Sequence, residues 1–311
     1  VSDGISGDGI SGDGIRPLPD IAAAFNMGYN SSTDHGNREP QSAPEAKEDS
    51  QMVTINQDAC TGCGRCIKDC IAGTISLQDH KARSAGSCLL CGHCVAVCPT
   101  GAVSIPEYDM EDVEELAPEE AALETGRLLK AIKSRRSIRS YKQMPVSRSY
   151  MELLLQAGRY TATARNTQGC RFIFVQEGLG LFKSMIWEGI GRILNSPDPG
   201  PAEPYRNFYN ARQADPQDDY LFRNAPCVLF IAAPSAIDAG LAAQNMELTG
   251  TSLGLGFLYN GYLRRAAQMI PEAREWLETG GKPLEACALL GFPDVTYKRT
   301  APRRAADVVF H

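Results

Sequence analysis

Eight of the eleven cysteines stand in two runs of the same form. Cys60, Cys63, Cys66 and Cys70 are spaced C-x2-C-x2-C-x3-C, and Cys88, Cys91, Cys94 and Cys98 repeat the spacing 28 residues later, with Pro99 after the second run. Thiolates at these intervals wrap an iron–sulfur cubane. Cys-x-x-Cys pairs also build zinc sites, but tetrahedral zinc is satisfied by two pairs and gains nothing from a third and fourth cysteine at x2 and x3 spacing. The repetition continues past the cysteines, since Gly73-Thr74-Ile75-Ser76 recurs as Gly101-Ala102-Val103-Ser104. A duplicated unit is therefore visible in the chain itself. Ile67, Ile71, Val95 and Val97 would shield such clusters and help set their potentials.

These residues resemble bacterial two-cluster ferredoxins over about residues 51–106. In such proteins the fourth cysteine of each run serves the other cluster. The resemblance thus implies one [4Fe-4S] cluster on Cys60, Cys63, Cys66 and Cys98, and a second on Cys88, Cys91, Cys94 and Cys70. Ile71 departs from the pattern by standing where proline usually follows the fourth cysteine. His93 lies inside the second run, but four thiolates already complete the set, so it reads as a neighbour or surface residue.

A second group of chemically capable residues is Arg135-Arg136-Ser137-Ile138-Arg139. Guanidinium forks and a hydroxyl gathered in five residues suit a phosphate monoester. Alone, such a cluster equally suits the solvated, dipole-complementing end of a helix. RRSIRSY, then ARNTQGCRFIFV at Ala164–Val175, GLGFLYNGYL at Gly254–Leu263, and LLGFP followed by YKRTAPR occur in the order and spacing of FMN-dependent nitroreductases. The resemblance spans about residues 122–308 and implies an α+β domain forming intertwined homodimers with FMN between subunits. It places Arg135, Arg136, Ser137 and Arg139 at the phosphate and ribityl chain, and Asn166 and Gln168 at the flavin ring or ribityl hydroxyls. It also places Tyr259, Asn260 and Gly261 along the isoalloxazine, and returns Lys298 and Arg299 to the phosphate. Gly169-Cys170 stands where many relatives have Pro-Trp, so substrate preference does not transfer. No base can be assigned beside Cys170, which reads as a buried bystander, as Cys227 and Cys287 read as core. Phe172, Phe174, Phe230 and Phe257 read as packing.

The elements that must position these groups follow from pattern. Residues 1–50, with Ser-Gly-Asp-Gly-Ile repeated at Ser6–Ile10 and Ser11–Ile15, are expected to be a disordered tail. Residues 51–106 form the cysteine module, 107–121 an acidic linker, and 122–311 the flavin domain. Apolar spacing predicts a helix over Ala121–Lys133 and others over Tyr150–Tyr160, Leu181–Leu194 and Leu241–Leu253. Strands are expected at Arg171–Gln176, Cys227–Ala232 and Ala286–Leu290, and a long loop at Ser196–Asp219. The fold class is α+β: a bacterial-ferredoxin-like module followed by a nitroreductase-like three-layer α/β/α domain.

At 311 residues there is room for two cores. A net charge of -6 argues against nucleic acid as a partner, and no membrane-length apolar run or signal peptide is apparent, so a cytoplasmic protein is expected. No GxGxxG follows a strand and no P-loop is present. The expected activity is reduction of a small conjugated electrophile such as a nitroaromatic, quinone or enone, with the clusters feeding one electron at a time to FMN. The donor is either reduced ferredoxin or flavodoxin, or NAD(P)H. No catalytic acid is assigned. The alternatives are an electron carrier with no small-molecule substrate, or a flavoenzyme of reductive dehalogenation or flavin-ring cleavage.

Overall fold

The computed structural model describes residues 52–117 and 119–311. The expected disordered tail, residues 1–50, lies outside them.

The cysteine module is built twice over from one short unit. In the first half, a loop carrying Cys60 and Cys63 leads into α1 (Arg65–Asp69), which buries Cys66, and then to β2 (Ile75–Gln78). In the second, Cys88 and Cys91 lead into α2 (His93–Ala96), which buries Cys94, and then to β4 (Val103–Ser104). Each helix is preceded by a glycine in the left-handed region, Gly64 at φ 73° and Gly92 at φ 75°. Each run then ends in the same turn: Gly73 N–H donates to Cys70 O at 3.1 Å, and Gly101 N–H to Cys98 O at 3.4 Å. β1 (Thr54–Ile55) pairs antiparallel with β4, and β2 with β3 (Lys81–Ser84). The core is small and includes the cysteines themselves: Val53, Ile55, Ile75, Ala82, Val103 and Ile105 pack with Cys60, Cys66 and Cys94. A unit of this size buries too little apolar surface to be secure alone, so whatever the thiols bind contributes to its folding.

Among the described residues of 107–124, Met110–Asp112 form a 3-10 turn. Glu124 then caps α3 (Thr125–Ser134), accepting hydrogen bonds from the N–H groups of Gly126 and Arg127. This acidic cap starts the helix four residues later than the apolar pattern suggests, because a carboxylate satisfies the first orphan donors and complements the helix dipole.

The larger domain is centred on one antiparallel sheet in the order β5-β6-β8-β7: Arg171–Val175, Cys227–Ala232, Leu284–Gly291 and Gly256–Tyr259. All six residues of β6 are buried, and its side chains alternate between two cores. Val228, Phe230 and Ala232 face α5 (Leu179–Leu194), α8 (Gly261–Met269) and α9 (Pro271–Trp276). Cys227, Leu229 and Ile231 face α4 (Arg148–Arg159) and α7 (Ala236–Ser252). Period-2 alternation with both faces covered produces the three layers, and explains why CVLFIA reads as a continuous apolar run.

The segment expected to be a long loop is partly helical. Gly200–Tyr205 is a 3-10 turn that buries Ala202 and Tyr205, and Arg206–Ala214 is α6. Its polar composition hid it, because α6 has no buried residue and rests its Phe208 and Tyr209 on the core edge.

Candidate functional site

The structure gathers the eight run cysteines into two sets. One cavity is lined by Cys60, Cys63, Cys66 and Cys98, and the other by Cys70, Cys88, Cys91 and Cys94. The fourth cysteine of each run has crossed to the other set, because the turn after each short helix carries the chain across the module's pseudo-twofold. Both cavities have apolar walls, with Ile55, Ala82 and Val103 at the first and Val53, Ile75 and Ile105 at the second. Among the described residues no three His, Cys, Asp or Glu side chains converge on a point as a single metal ion requires. The thiols surround a space, which suits a cluster.

Backbone amides are aimed at the sulfurs. Ala82 N–H donates to Cys60 Sγ at 3.4 Å, Ala102 N–H to Cys98 Sγ at 3.3 Å, and Leu90 N–H to Cys88 Sγ at 3.3 Å. The Ala82 amide holds the Cys60 thiol below its ordinary value, whereas burial pushes Cys94 up to about 11. Cys63 is the exposed member of its set. His93 borders the second cavity, and its Nδ1 lies 3.2 Å from Asp69 Oδ2 at the surface. Ile71, the residue in place of proline, is 86% exposed.

The basic cluster sits where α3 ends. Ile138 N–H donates to Phe257 O at 2.9 Å, laying Ser137 beside Phe257 in a parallel bridge, so Arg135, Arg136 and Ser137 are fixed against β7 and the Tyr259-Asn260-Gly261 turn that follows it. Arg135 Nη1 donates to Glu247 Oε1 at 3.0 Å, and Glu247, in the middle of α7, also hydrogen-bonds the Tyr259 hydroxyl. Burial raises the Glu247 carboxyl above its usual range in spite of Arg135. Arg136 donates through Nη1 to the carbonyls of Lys133 and Arg135, while its Nη2 is buried without an acceptor. A buried guanidinium nitrogen left unpaired is costly, and an anion at this point would satisfy it.

The remaining expected residues divide. Asn260 caps α8 by accepting from Leu263 N–H at 2.9 Å and donates to Leu221 O at 2.7 Å, so its side chain shapes the turn. Arg139 is exposed one strand-like step beyond Ile138, and Lys298 and Arg299 lie in an exposed segment without regular structure. Among the described residues no hydrogen bond or ion pair joins Lys298 or Arg299 to Arg135, Arg136 or Arg139. Asn166 and Gln168 lie in a strained loop, with Arg165, Asn166 and Gln168 at φ 54°, 55° and 48°. Asn166 reaches the cysteine module, its Nδ2 donating to Leu90 O at 2.9 Å, and Gln168 reaches the linker, its Nε2 donating to the Tyr108 hydroxyl at 2.7 Å. Cys170 is half-buried with its thiol raised by burial, so it is no ready nucleophile, and Cys227 and Cys287 are core. Phe172, Phe174, Phe230 and Phe257 all belong to the packed cores.

Sequence reasoning missed Glu247, Leu90 and Tyr108. A lone carboxylate in a helix of mixed composition and two residues of a turn carry no motif, and their partners lie 112, 76 and 60 residues away.

The fold and the two groups of residues define an oxidoreductase of α+β architecture joined to a ferredoxin-like iron–sulfur module. The nitroreductase family profile matches residues 132–291, just over half of the chain, and a 4Fe-4S dicluster domain profile matches residues 59–103. The chain belongs to the nitroreductase family. It is 27% identical over 189 residues to an NADPH-dependent oxidoreductase of Staphylococcus saprophyticus, covering 58% of this chain and 70% of that protein. It is 38% identical over 76 residues to an NADPH-flavin oxidoreductase of Vibrio harveyi, covering 24% and 30%. A Bacteroides fragilis nitroreductase solved with bound FMN superposes with a TM-score of 0.49 at 21% identity, covering 60% of this chain and all of that one. No helix among the described residues is long and apolar enough to cross a membrane.

Proposed function

We propose that this chain is an FMN-dependent oxidoreductase that reduces a small conjugated electrophile, a nitroaromatic, quinone or enone, and that two [4Fe-4S] clusters relay electrons to the flavin. The observation that carries the flavin reading is the buried, acceptor-less Nη2 of Arg136 at the end of α3. It fits a phosphate monoester, with Arg135, Ser137 and Arg139 adjoining. Asn166, Gln168 and the Tyr259-Asn260-Gly261 turn would border the ring system, and Lys298 and Arg299 would reach the phosphate from the C-terminal segment. The clusters fit the two cysteine-lined cavities, four thiols to each.

Bound FMN would supply the ability to accept electrons singly and to deliver a hydride to the electrophile. The protein's residues bind and orient. Glu247 holds Arg135 in place, and the sheet behind Phe257 excludes water from one side. No side chain is assigned as a catalytic acid, and solvent would supply the proton.

A homodimer belongs to the same reading. α3 carries Leu128, Leu129 and Ile132 on one side and buries none of its residues, an arrangement that a second copy would cover. The curated relatives named for NADPH favour that donor for the flavin domain, while the fused module favours a one-electron carrier of the ferredoxin or flavodoxin class.

Anaerobic turnover tests the proposal. With dithionite-reduced ferredoxin or NADPH as donor, nitrofurazone and menadione should be reduced well above the rate of free FMN at equal concentration. Exchange of electrons with the donor, without turnover of any electrophile above that rate, would identify an electron carrier instead.

A further inference from the structure

The two cysteine-lined cavities are not equivalent toward the larger domain. Leu89 and Leu90 lie between Cys88 and Cys91, and Asn166 Nδ2 donates to the carbonyls of both, at 3.4 and 2.9 Å. Next to this contact Gln168 holds the Tyr108 hydroxyl. Among the described residues, no hydrogen bond joins the loop of the other cavity, Cys60 to Cys66, to the larger domain. At that cavity Cys63 is exposed instead.

The duplicated halves of the module supply an internal comparison. Leu90 occupies the position that Gly62 holds in the first run, and both are left-handed, at φ 51° and 69°. At Gly62 the conformation is free of strain and a side chain is impossible, since a Cβ would stand 2.0 Å from His80 O. At Leu90 a bulky residue adopts a conformation such residues rarely take, and strain of this kind persists where surrounding contacts fix it. The contact here is Asn166, itself left-handed at φ 55°, a conformation asparagine adopts readily, so the strained Leu90 is met by a residue suited to the same backbone region. The bond falls on the peptide that joins Leu90 to Cys91, while Leu90 N–H donates to Cys88 Sγ.

We propose that electrons leave the module from the Cys70, Cys88, Cys91, Cys94 cavity and arrive at the Cys60, Cys63, Cys66, Cys98 cavity. Asn166 is the positioning residue that holds the first of these against the flavin domain. The inference rests on the flavin reading above. Two electrons arrive singly from a one-electron protein carrier of the ferredoxin or flavodoxin class docking over exposed Cys63. With two protons from water they convert oxidised flavin to its dihydro form, each cluster returning to its oxidised state after every transfer. Asn166 polarises the Leu90–Cys91 peptide and thereby the potential of the departing cluster.

The test uses the full chain purified with clusters and FMN. Cys91→Ser and Cys63→Ser identify the two paramagnetic signals by altering one each. In a redox titration, Asn166→Asp, which places a negative charge beside Leu90 O, should lower the midpoint potential of the signal altered by Cys91→Ser and leave the other unchanged. Asn166→Leu should slow bleaching of the flavin by reduced clusters at least tenfold at wild-type iron content. Tyr108→Phe reads the same junction at a residue that is not itself placed on the flavin, and should slow bleaching, measured per bound FMN, at least twofold at wild-type iron content. A shift confined to the Cys63 signal, or no shift in either together with unaltered bleaching in both other variants, would overturn the inference while leaving the flavin reading intact. A wild-type chain that holds clusters but no FMN would overturn the flavin reading itself, and this inference with it.

Discussion

Arg135 and Glu247 meet at 3.0 Å, with the Glu247 side chain 1% exposed and the Arg135 side chain 30% exposed. The pair joins the end of α3 to the middle of α7, and through the Tyr259 hydroxyl to the end of β7. Its consequences separate binding from stability.

Burial outweighs Arg135 in setting the Glu247 carboxyl, which is raised above its ordinary value. The folded state therefore takes up this proton more readily than the unfolded chain, so the group's contribution to stability is fullest below its unfolded value of about 4.5 and declines as pH rises through the folded value. Glu247→Gln should flatten that part of the stability profile. Because Arg135 keeps partial access to water, the cost at neutral pH should stay below about 1 kcal/mol. FMN affinity should fall about tenfold, near 1.4 kcal/mol, as Arg135 loses its orientation. Urea melts from pH 4 to 8 and flavin titration of the apoprotein check the two effects.

Arg136→Ala removes a guanidinium whose Nη2 is buried and unpaired. Without FMN the substitution should cost little, since the lost packing is offset by relief of about 1–3 kcal/mol from an unsatisfied group. With FMN, one or two charge-assisted bonds are lost and affinity should drop about a hundredfold. Thermal melts with and without FMN should thus converge in the variant and diverge in the wild type.

Asp112 accepts from Arg159 and from the Tyr160 hydroxyl, at 2.8 Å for the latter, tying the linker to α4. Arg159 first, with help from Tyr160, holds the Asp112 carboxyl below its ordinary value. Its stabilisation is present above the unfolded value and lost as pH falls through the folded one. Asp112→Asn should remove about 0.5 kcal/mol at pH 7 and nothing once the wild-type group is protonated, as acid titration of both chains would read.

Gly62→Ala puts a Cβ against His80 O at 2.0 Å and into a left-handed conformation, whereas Gly92→Ala, also left-handed, meets nothing within 4 Å. The first should abolish incorporation of iron at the Cys63 cavity. The second should cost about 1 kcal/mol and keep both signals. Iron analysis with spectroscopy of the two proteins distinguishes them.

What could be read in the chain was what chemistry confines to short range. Cysteine spacing prescribes a loop, a helical turn and a reversal, and the crossing of Cys70 and Cys98 between cavities was legible only through the resemblance to two-cluster ferredoxins. CVLFIA announced β6 because both faces of that strand are covered. The α6 helix was invisible because its Arg-Asn-Phe-Tyr-Asn-Ala-Arg-Gln-Ala sequence buries nothing fully. β7 and α8 were hidden behind the GLGFLYNGYL motif, which was read for chemistry and not for the Asn260 cap. Glu247, Leu90 and Tyr108 act through tertiary contacts, and no local pattern encodes those.

The central claim is that one chain holds two iron–sulfur clusters and a flavin, and purification without oxygen followed by iron, sulfide and flavin analysis measures it directly. About eight iron, eight sulfide and one FMN per chain are predicted from two cubanes and one flavin site. Zinc in place of iron, with no flavin band in the visible spectrum, would contradict it.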